Sequence, residues 1–355
     1  VLNLPSTGFG EYAFVWANRP TTTTIKPYTP ELAYQYNSTG AINTIARVER
    51  GHYRVYMPDV YPKAGGNVQL SAYGSGSSYC NVGSWGTNVG SPLEVSDDLV
   101  VQVYCFDASG NPADSQFTAL YHDHGLGGES LAYLWASEPE TLRYYTPAKY
   151  SYNSFYPDES PYIVHHPLFG EEEVVGYYLV YLGGPTTDGP LHVTTYGNEP
   201  NHCQVIERSL FPTVQCYSRD GVPRNMRFSL AYSQNRVFGS PDTVGAYAYV
   251  ERSSSGARIL SAFNSAGPFD GALVTTWARG RFRIDFPRLA PTYSKSTVLV
   301  TAEHGYGSYL GVRKCKVAGW MKLSDDVAVW VDCYDSVGGL SDSSFSVTVL
   351  TDARF

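Results

Sequence analysis

This chain reads as all-β: three tandem antiparallel β-sandwich repeats of Ig-like size, each with one disulfide inside it. Two observations carry that reading. The first is a stretch written three times, CFDASGNPADSQFTALY at Cys105–Tyr121, CYSRDGVPRNMRFSLAY at Cys216–Tyr232 and CYDSVGGLSDSSFSVTV at Cys333–Val349. In each copy an aromatic follows the Cys, and Gly, then Asp or Asn, then Phe stand at fixed offsets. Strand, Gly-bearing turn and strand in that order predict one β-hairpin. The second observation is composition. With 30 Tyr, 34 Gly, 22 Pro and only 16% charged residues, the chain has the profile of many short strands joined by turns.

The hairpin ends a longer unit whose parts recur in the same order. Each unit opens on an aromatic strand: Tyr12 to Trp16, Tyr133 to Trp135, and Tyr247 to Tyr249. Copies one and two follow it with Tyr-rich strands from Tyr28 to Tyr36 and from Tyr145 to Tyr152. A strand headed by Gly with an aromatic two residues on comes next, at Gly51 and Tyr53, Gly176 and Tyr178, and Gly280 and Phe282. In copies one and three it stops at Pro58 and Pro287, where a residue that cannot donate to a ladder suits a strand end. An alternating strand then runs to a glycine, Val68 to Gly74, Leu191 to Gly197 and Val298 to Gly305. The first Cys of each unit follows, two residues before a Val, at Cys80 and Val82, Cys203 and Val205, and Cys315 and Val317. Copies one and three continue to Trp85 and Trp320 and share an Asp pair, Asp97-Asp98 and Asp325-Asp326. About seven short strands in roughly 110 residues have the dimensions of an antiparallel sandwich.

The six cysteines fall two to a unit. Six permit fifteen pairings, but only a bridge inside each unit recurs three times with one geometry, which predicts Cys80 with Cys105, Cys203 with Cys216, and Cys315 with Cys333. Boundaries sit in the Gly-rich and polar stretches 122–130 and 233–245, giving repeats at 1–122, 123–235 and 236–355. Such short linkers favour a line or gentle arc of units over a pseudo-threefold arrangement. The middle copy is the diverged one: it lacks the Trp and the Asp pair and inserts an acidic loop, Asp158–Glu173, where a specialised role has room to sit.

These strings, from Gly51 to Tyr121 above all, then Gly280 to Val349 and in part Gly176 to Tyr232, resemble a tandem repeat of secreted proteins from actinobacteria, myxobacteria and similar bacteria. No activity attaches to that group. The resemblance implies a secreted location and a repeat architecture, and transfers no catalytic residue.

Charge and hydropathy narrow the function. A net charge of −8, with no basic stripe, argues against nucleic acid, because displacing counterions from phosphates takes clustered Lys and Arg. No apolar run reaches the length of a membrane-spanning helix, so no membrane span is expected. A start at Val1 fits a mature chain after signal-peptide removal, and the cysteines fit a secreted, extracellular or cell-surface protein.

Candidate chemistry is sparse. Leu4 to Gly8 spells the sortase signal LPxTG, yet at the wrong end of the chain for sorting. His122-Asp123-His124 and His165-His166 carry metal-capable side chains, but two imidazoles need further ligands that the sequence does not name. Asp97-Asp98, Asp325-Asp326 and Glu171–Glu173 suggest calcium (Ca2+). Neighbouring strand residues point to opposite faces, however, and the plainer role of such a pair is that of a turn acceptor. No Gly-x-Ser-x-Gly elbow and no recurring His support a hydrolase, so no catalytic residue is assigned.

Aromatics remain. Tyr12, Trp16, Tyr36, Tyr133, Trp135, Tyr152, Tyr247 and Tyr249 serve either as packing or as an aromatic contact surface for an extracellular glycan or a second copy of the chain. The leading expectation is a non-catalytic secreted scaffold or adhesive that self-associates; the alternatives are a glycan-binding module and an extracellular hydrolase.

Overall fold

The structure is a computed structural model that describes residues 10–22, 26–61, 65–87, 98–123, 130–141, 143–147, 150–165, 174–239, 243–267, 271–290, 295–304 and 311–352. It is all-β apart from a 3₁₀ turn at Leu32–Tyr34. The first third holds β1 (Tyr12–Trp16), β2 (Gln35–Asn37), β3 (Thr44–Glu49), β4 (His52–Met57), β5 (Asn67–Tyr73), β6 (Tyr79–Thr87), β7 (Leu99–Phe106) and β8 (Gln116–His122). The second holds β9 (Leu131–Ala136), β10 (Arg143–Tyr145), β11 (Ser151–Asn153), β12 (Tyr162–His165), β13 (Tyr177–Tyr181), β14 (Leu191–Tyr196), β15 (His202–Glu207), β16 (Thr213–Tyr217) and β17 (Arg227–Ser233). The last holds β18 (Val244–Ser253), β19 (Gly256–Asn264), β20 (Leu273–Ala278), β21 (Arg281–Phe286), β22 (Lys295–Glu303), β23 (Lys314–Leu323), β24 (Asp326–Tyr334) and β25 (Ser344–Asp352).

The strands form three sheets, and every sheet is shared between two thirds. Sheet I runs β2-β1-β8-β5-β23-β24-β21-β20, sheet II β11-β9-β17-β14-β6-β7-β4-β3, and sheet III β10-β12-β13-β16-β15-β22-β25-β18-β19. Within a third all pairings are antiparallel, while the thirds meet through short parallel contacts of β5 with β23, β14 with β6, and β15 with β22. One backbone bond closes each junction: Gly74 N–H donates to Val317 C=O at 2.9 Å, Gly197 N–H to Val82 at 2.8 Å, and His304 N–H to Val205 at 2.9 Å. First meets second, second meets third, third meets first. The thirds therefore stand in a closed ring, not the line their short linkers suggest. An unpaired edge strand leaves a row of backbone donors and acceptors without partners, and ring closure gives each of these edges a neighbour.

The Val of each Cys-x-Val motif is the acceptor at its junction, which is a physical reason for the motif to recur. A second threefold set lies beside it. Ser71 Oγ accepts from Val300 N–H at 2.7 Å, Thr194 Oγ1 from Leu70 N–H at 3.0 Å, and Thr301 Oγ1 from Val193 N–H at 3.3 Å. Three hydroxyls at one column thus bind the backbone of the next third in turn. This explains why the strands expected to alternate are buried along both faces: β5 is buried from Asn67 to Ala72, its apolar side in its own core and its polar side against the axis.

Each third has its own core between its two half-sheets. Val55, Val103 and Phe117 belong to the first, Val180, Val214 and Phe228 to the second, and Ile284, Val331 and Phe345 to the third. A further cluster containing Phe14, Tyr133, Phe238 and Leu299 draws on all three. The bridges Cys80–Cys105, Cys203–Cys216 and Cys315–Cys333 each lie within one third, joining directly opposed residues of neighbouring strands.

The thrice-written stretch is not a hairpin. β7 lies in sheet II and β8 in sheet I, and the same switch of sheets separates β16 from β17 and β24 from β25. The turn starts as a hairpin would, with isolated bridges Phe106 to Pro112, Tyr217 to Pro223 and Tyr334 to Leu340. Pairing ends there because the next residues serve another strand: Asp114, Asn225 and Asp342 accept from the backbone N–H of Gly51, Gly176 and Gly280 at 3.0, 2.6 and 2.7 Å. Those glycines have φ of 74°, 72° and 68°, and a Cβ on any of them would fall within 2.6–2.7 Å of the carbonyl oxygen of Cys105, Cys216 or Cys333. The chain then crosses, and the recurring Phe packs on the ring of the Gly-headed strand, Phe117 on Tyr53, Phe228 on Tyr178 and Phe345 on Phe282, at 5.1–5.3 Å.

Candidate functional site

The eight aromatics proposed as a contact surface turn inward. Tyr12, Tyr36, Tyr133, Tyr247 and Tyr249 are buried, and Trp16, Trp135 and Tyr152 are partly buried. Their work is at the seams. Trp16 packs with Tyr34, Tyr73 and Trp320 between the first and last thirds, at 4.9–5.6 Å. Trp135 packs with Trp85, Tyr150 and Tyr196 between the first and second, at 5.0–5.7 Å. They form no outward row, because an opening strand that lies at a seam between thirds has no free face.

The remaining seam shows where the middle copy's missing Trp went. Counting from the first Cys of each unit, Trp85 and Trp320 correspond to Arg208; counting from the hydroxyl column Ser71, Thr194 and Thr301, Tyr73 and Tyr196 correspond to Glu303. Arg208 grips Glu303 with two bonds, Nε to Oε2 at 2.5 Å and Nη2 to Oε1 at 2.6 Å, and its guanidinium lies 3.9 Å over the Tyr249 ring. Nη2 also donates to Ser346 Oγ, and Nη1 to the Thr186 and Gly189 carbonyls. Such a fully bonded ion pair is the condition under which two buried charges are tolerated.

The polar candidates are engaged structurally. His122 is fully buried, stacked on Phe238, and burial pushes its pKa down to about 3. Asp123 accepts from the Tyr133 hydroxyl. His165 is buried, stacked on Tyr178 and bonded to Asn225. Asp98 and Asp326 accept from the backbone N–H of Asp59 and Arg288, two equivalent non-glycine residues at φ 60° and 57°. Both carboxylates are therefore turn acceptors. Leu4 to Gly8, His124, His166, Asp97 and Glu171–Glu173 lie outside the described residues, within which no group of three His, Cys, Asp or Glu converges.

An outward aromatic row does exist, on the diverged third. Tyr162 of β12 stands directly opposite Tyr181 of β13, and Tyr144 of β10 lies one strand further out. The neighbours Ile163, Val180 and Tyr145 take the core face, so strand alternation sends these three tyrosines to the other side. Tyr144 to Tyr162 and Tyr162 to Tyr181 are each 4.8 Å between ring centroids, and Phe211 closes the row 5.7 Å from Tyr181. Tyr144 is 59% exposed, and Tyr162, Tyr181 and Phe211 are half-buried. Glu159, from the loop expected to hold a specialised role, accepts from the Tyr181 hydroxyl, and that bond pushes the phenol up to about 12. Four rings make a continuous apolar strip with a carboxylate at one edge.

The alternating run YIVH at Tyr162–His165 was the available signal for this row, but on its own it does not say which parity faces water. No family model, no curated protein and no solved structure matches the chain.

Proposed function

We propose that this is a non-catalytic extracellular adhesive protein whose three thirds are copies of one two-layer β-sandwich, and that it binds an extracellular polysaccharide through Tyr144, Tyr162, Tyr181 and Phe211. The supporting observation is the row itself. Rings in line at 4.8–5.7 Å offer successive apolar platforms for the C–H faces of pyranose units, while phenol hydroxyls and Glu159 offer hydrogen bonds at the margin. Aromatics bring large contact area at small entropic cost, and the scaffold beneath them is held by the Cys203–Cys216 bridge. Three disulfides fit an oxidising, extracellular location.

Affinity electrophoresis against plant, fungal and bacterial polysaccharides tests the proposal. At least one polymer retards the native chain, and Tyr144→Ala with Tyr162→Ala weakens retention at least about tenfold with an unchanged melting temperature. A blank panel, or retention indifferent to both substitutions, ends it.

A second reading, assembly with copies of itself, is favoured by β20. This strand ends sheet I, and its Leu273 and Trp277 are 63% and 56% exposed; an apolar unpaired edge is a template for another strand. Sedimentation at high concentration that finds only monomer removes it.

A further inference from the structure

On the axis of the ring, away from the tyrosine row, the residues flanking the first Cys of each third reach into a turn of the next. Tyr79 donates to the Pro200 carbonyl at 2.8 Å, and Asn81 to the carbonyls of Glu199 and Asn201 at 2.9 and 3.1 Å. His202 bonds the Arg313 carbonyl at 2.6 Å, and Gln204 the Gly311 carbonyl at 3.3 Å. In the last third the same two positions are Lys314 and Lys316, so the clasp built twice from neutral groups is built the third time from two ammonium groups.

These lysines are 6% and 3% exposed and line a cavity of about 50 Å³ together with Cys80, Cys203 and Cys315. Lys316 donates to Ser78 Oγ at 2.9 Å. Lys314 lies 3.8 Å over the Tyr79 ring, and among the described residues no oxygen accepts from it. Carboxylates are near but committed. Asp332 stands opposite Lys316 and also meets Arg281 at 3.7 Å, while Asp335 acts on Lys314 and accepts from the backbone N–H of Val337 and Gly339. Burial outweighs both attractions and lowers each ammonium to about 8. A buried cation without a full set of acceptors is costly, and a polar cavity with room for about three to five waters also has room for one tetrahedral anion.

We propose that this cavity is a binding site for a small inorganic oxyanion of the phosphate or sulfate class, held by Lys314 and Lys316. The arrangement places two positive charges around one small polar space, the chemistry that recognises such an anion.

The test uses the full chain at pH 7, with sodium phosphate, sodium sulfate and sodium chloride at matched ionic strength. At 10 mM, phosphate or sulfate raises the melting temperature by about 3 °C over chloride, and titration calorimetry gives one site per chain. Lys314→Met abolishes both effects, Lys316→Met weakens binding at least about tenfold, and Lys322→Met, an exposed lysine on the same strand, changes neither. If Lys316→Met does not fold, Lys314→Met decides the matter, since it removes no hydrogen bond. Equal shifts in chloride and in the oxyanions, or a shift that survives Lys314→Met, overturns the proposal.

Discussion

Arg208 and Glu303 form a two-pronged buried ion pair at 2.5 and 2.6 Å, in the position that tryptophan and tyrosine occupy at the other two seams of the ring. The pair belongs to two different thirds, so it reports on how the ring is held, not on the folding of one module.

Breaking it from one side leaves a buried charge alone. Arg208→Met is expected to cost about 3–5 kcal/mol, read as a fall in the urea midpoint. Arg208→Trp combined with Glu303→Tyr rebuilds the aromatic seam and recovers most of that loss. A double variant no better than the single would mean that the third seam differs in backbone as well as in side chains.

Two glycines separate strain from collision. Gly40 and Gly280 both have positive φ, 89° and 68°, but a Cβ meets nothing within 4 Å at Gly40 and lies 2.6 Å from Ser341 N and 2.7 Å from Cys333 O at Gly280. Gly40→Ala is expected to cost about 1 kcal/mol and Gly280→Ala clearly more, about 3 kcal/mol or greater. Matched denaturation curves give the difference directly.

Acid should weaken the fold well before its carboxylates titrate. Burial lowers His122, His192 and His202 to about 3, so each stays neutral in the folded chain. The unfolded chain binds their protons near pH 6.5, and stability therefore falls as pH drops below that value and stops falling, on their account, near pH 3. Three such groups, at about 1.9 kcal/mol each, predict a loss of about 5–6 kcal/mol between pH 7 and 5. Urea titrations at the two pH values measure it, and His192→Gln should reduce the pH slope by about a third. A flat profile would place these imidazoles in contact with water.

Much of this architecture was legible as columns of the repeat, although the meaning of several columns was not. The Cys pairs, the Cys-x-Val motif and the Asp or Asn nine residues after Cys105, Cys216 and Cys333 all have a repeated structural job. The partition of β7 and β8 into separate sheets was hidden, because a turn followed by a strand looks the same whether the chain folds back or crosses over. The outward row was hidden too: Tyr162 and Ile163 are both strand formers, and only the packed core decides which one meets water. Arg208 was readable from its spacing to Cys203, but its partner Glu303 sits in another third, and nothing in one copy points to it.

Differential scanning calorimetry of the intact chain tests the ring most directly. Sheets that each join two thirds, and together close all three into one ring, predict one cooperative transition, with a calorimetric enthalpy equal to the van't Hoff value and near 250 kcal/mol, from about 0.7 kcal/mol per residue. Three resolved transitions, each carrying about a third of that enthalpy, would contradict it.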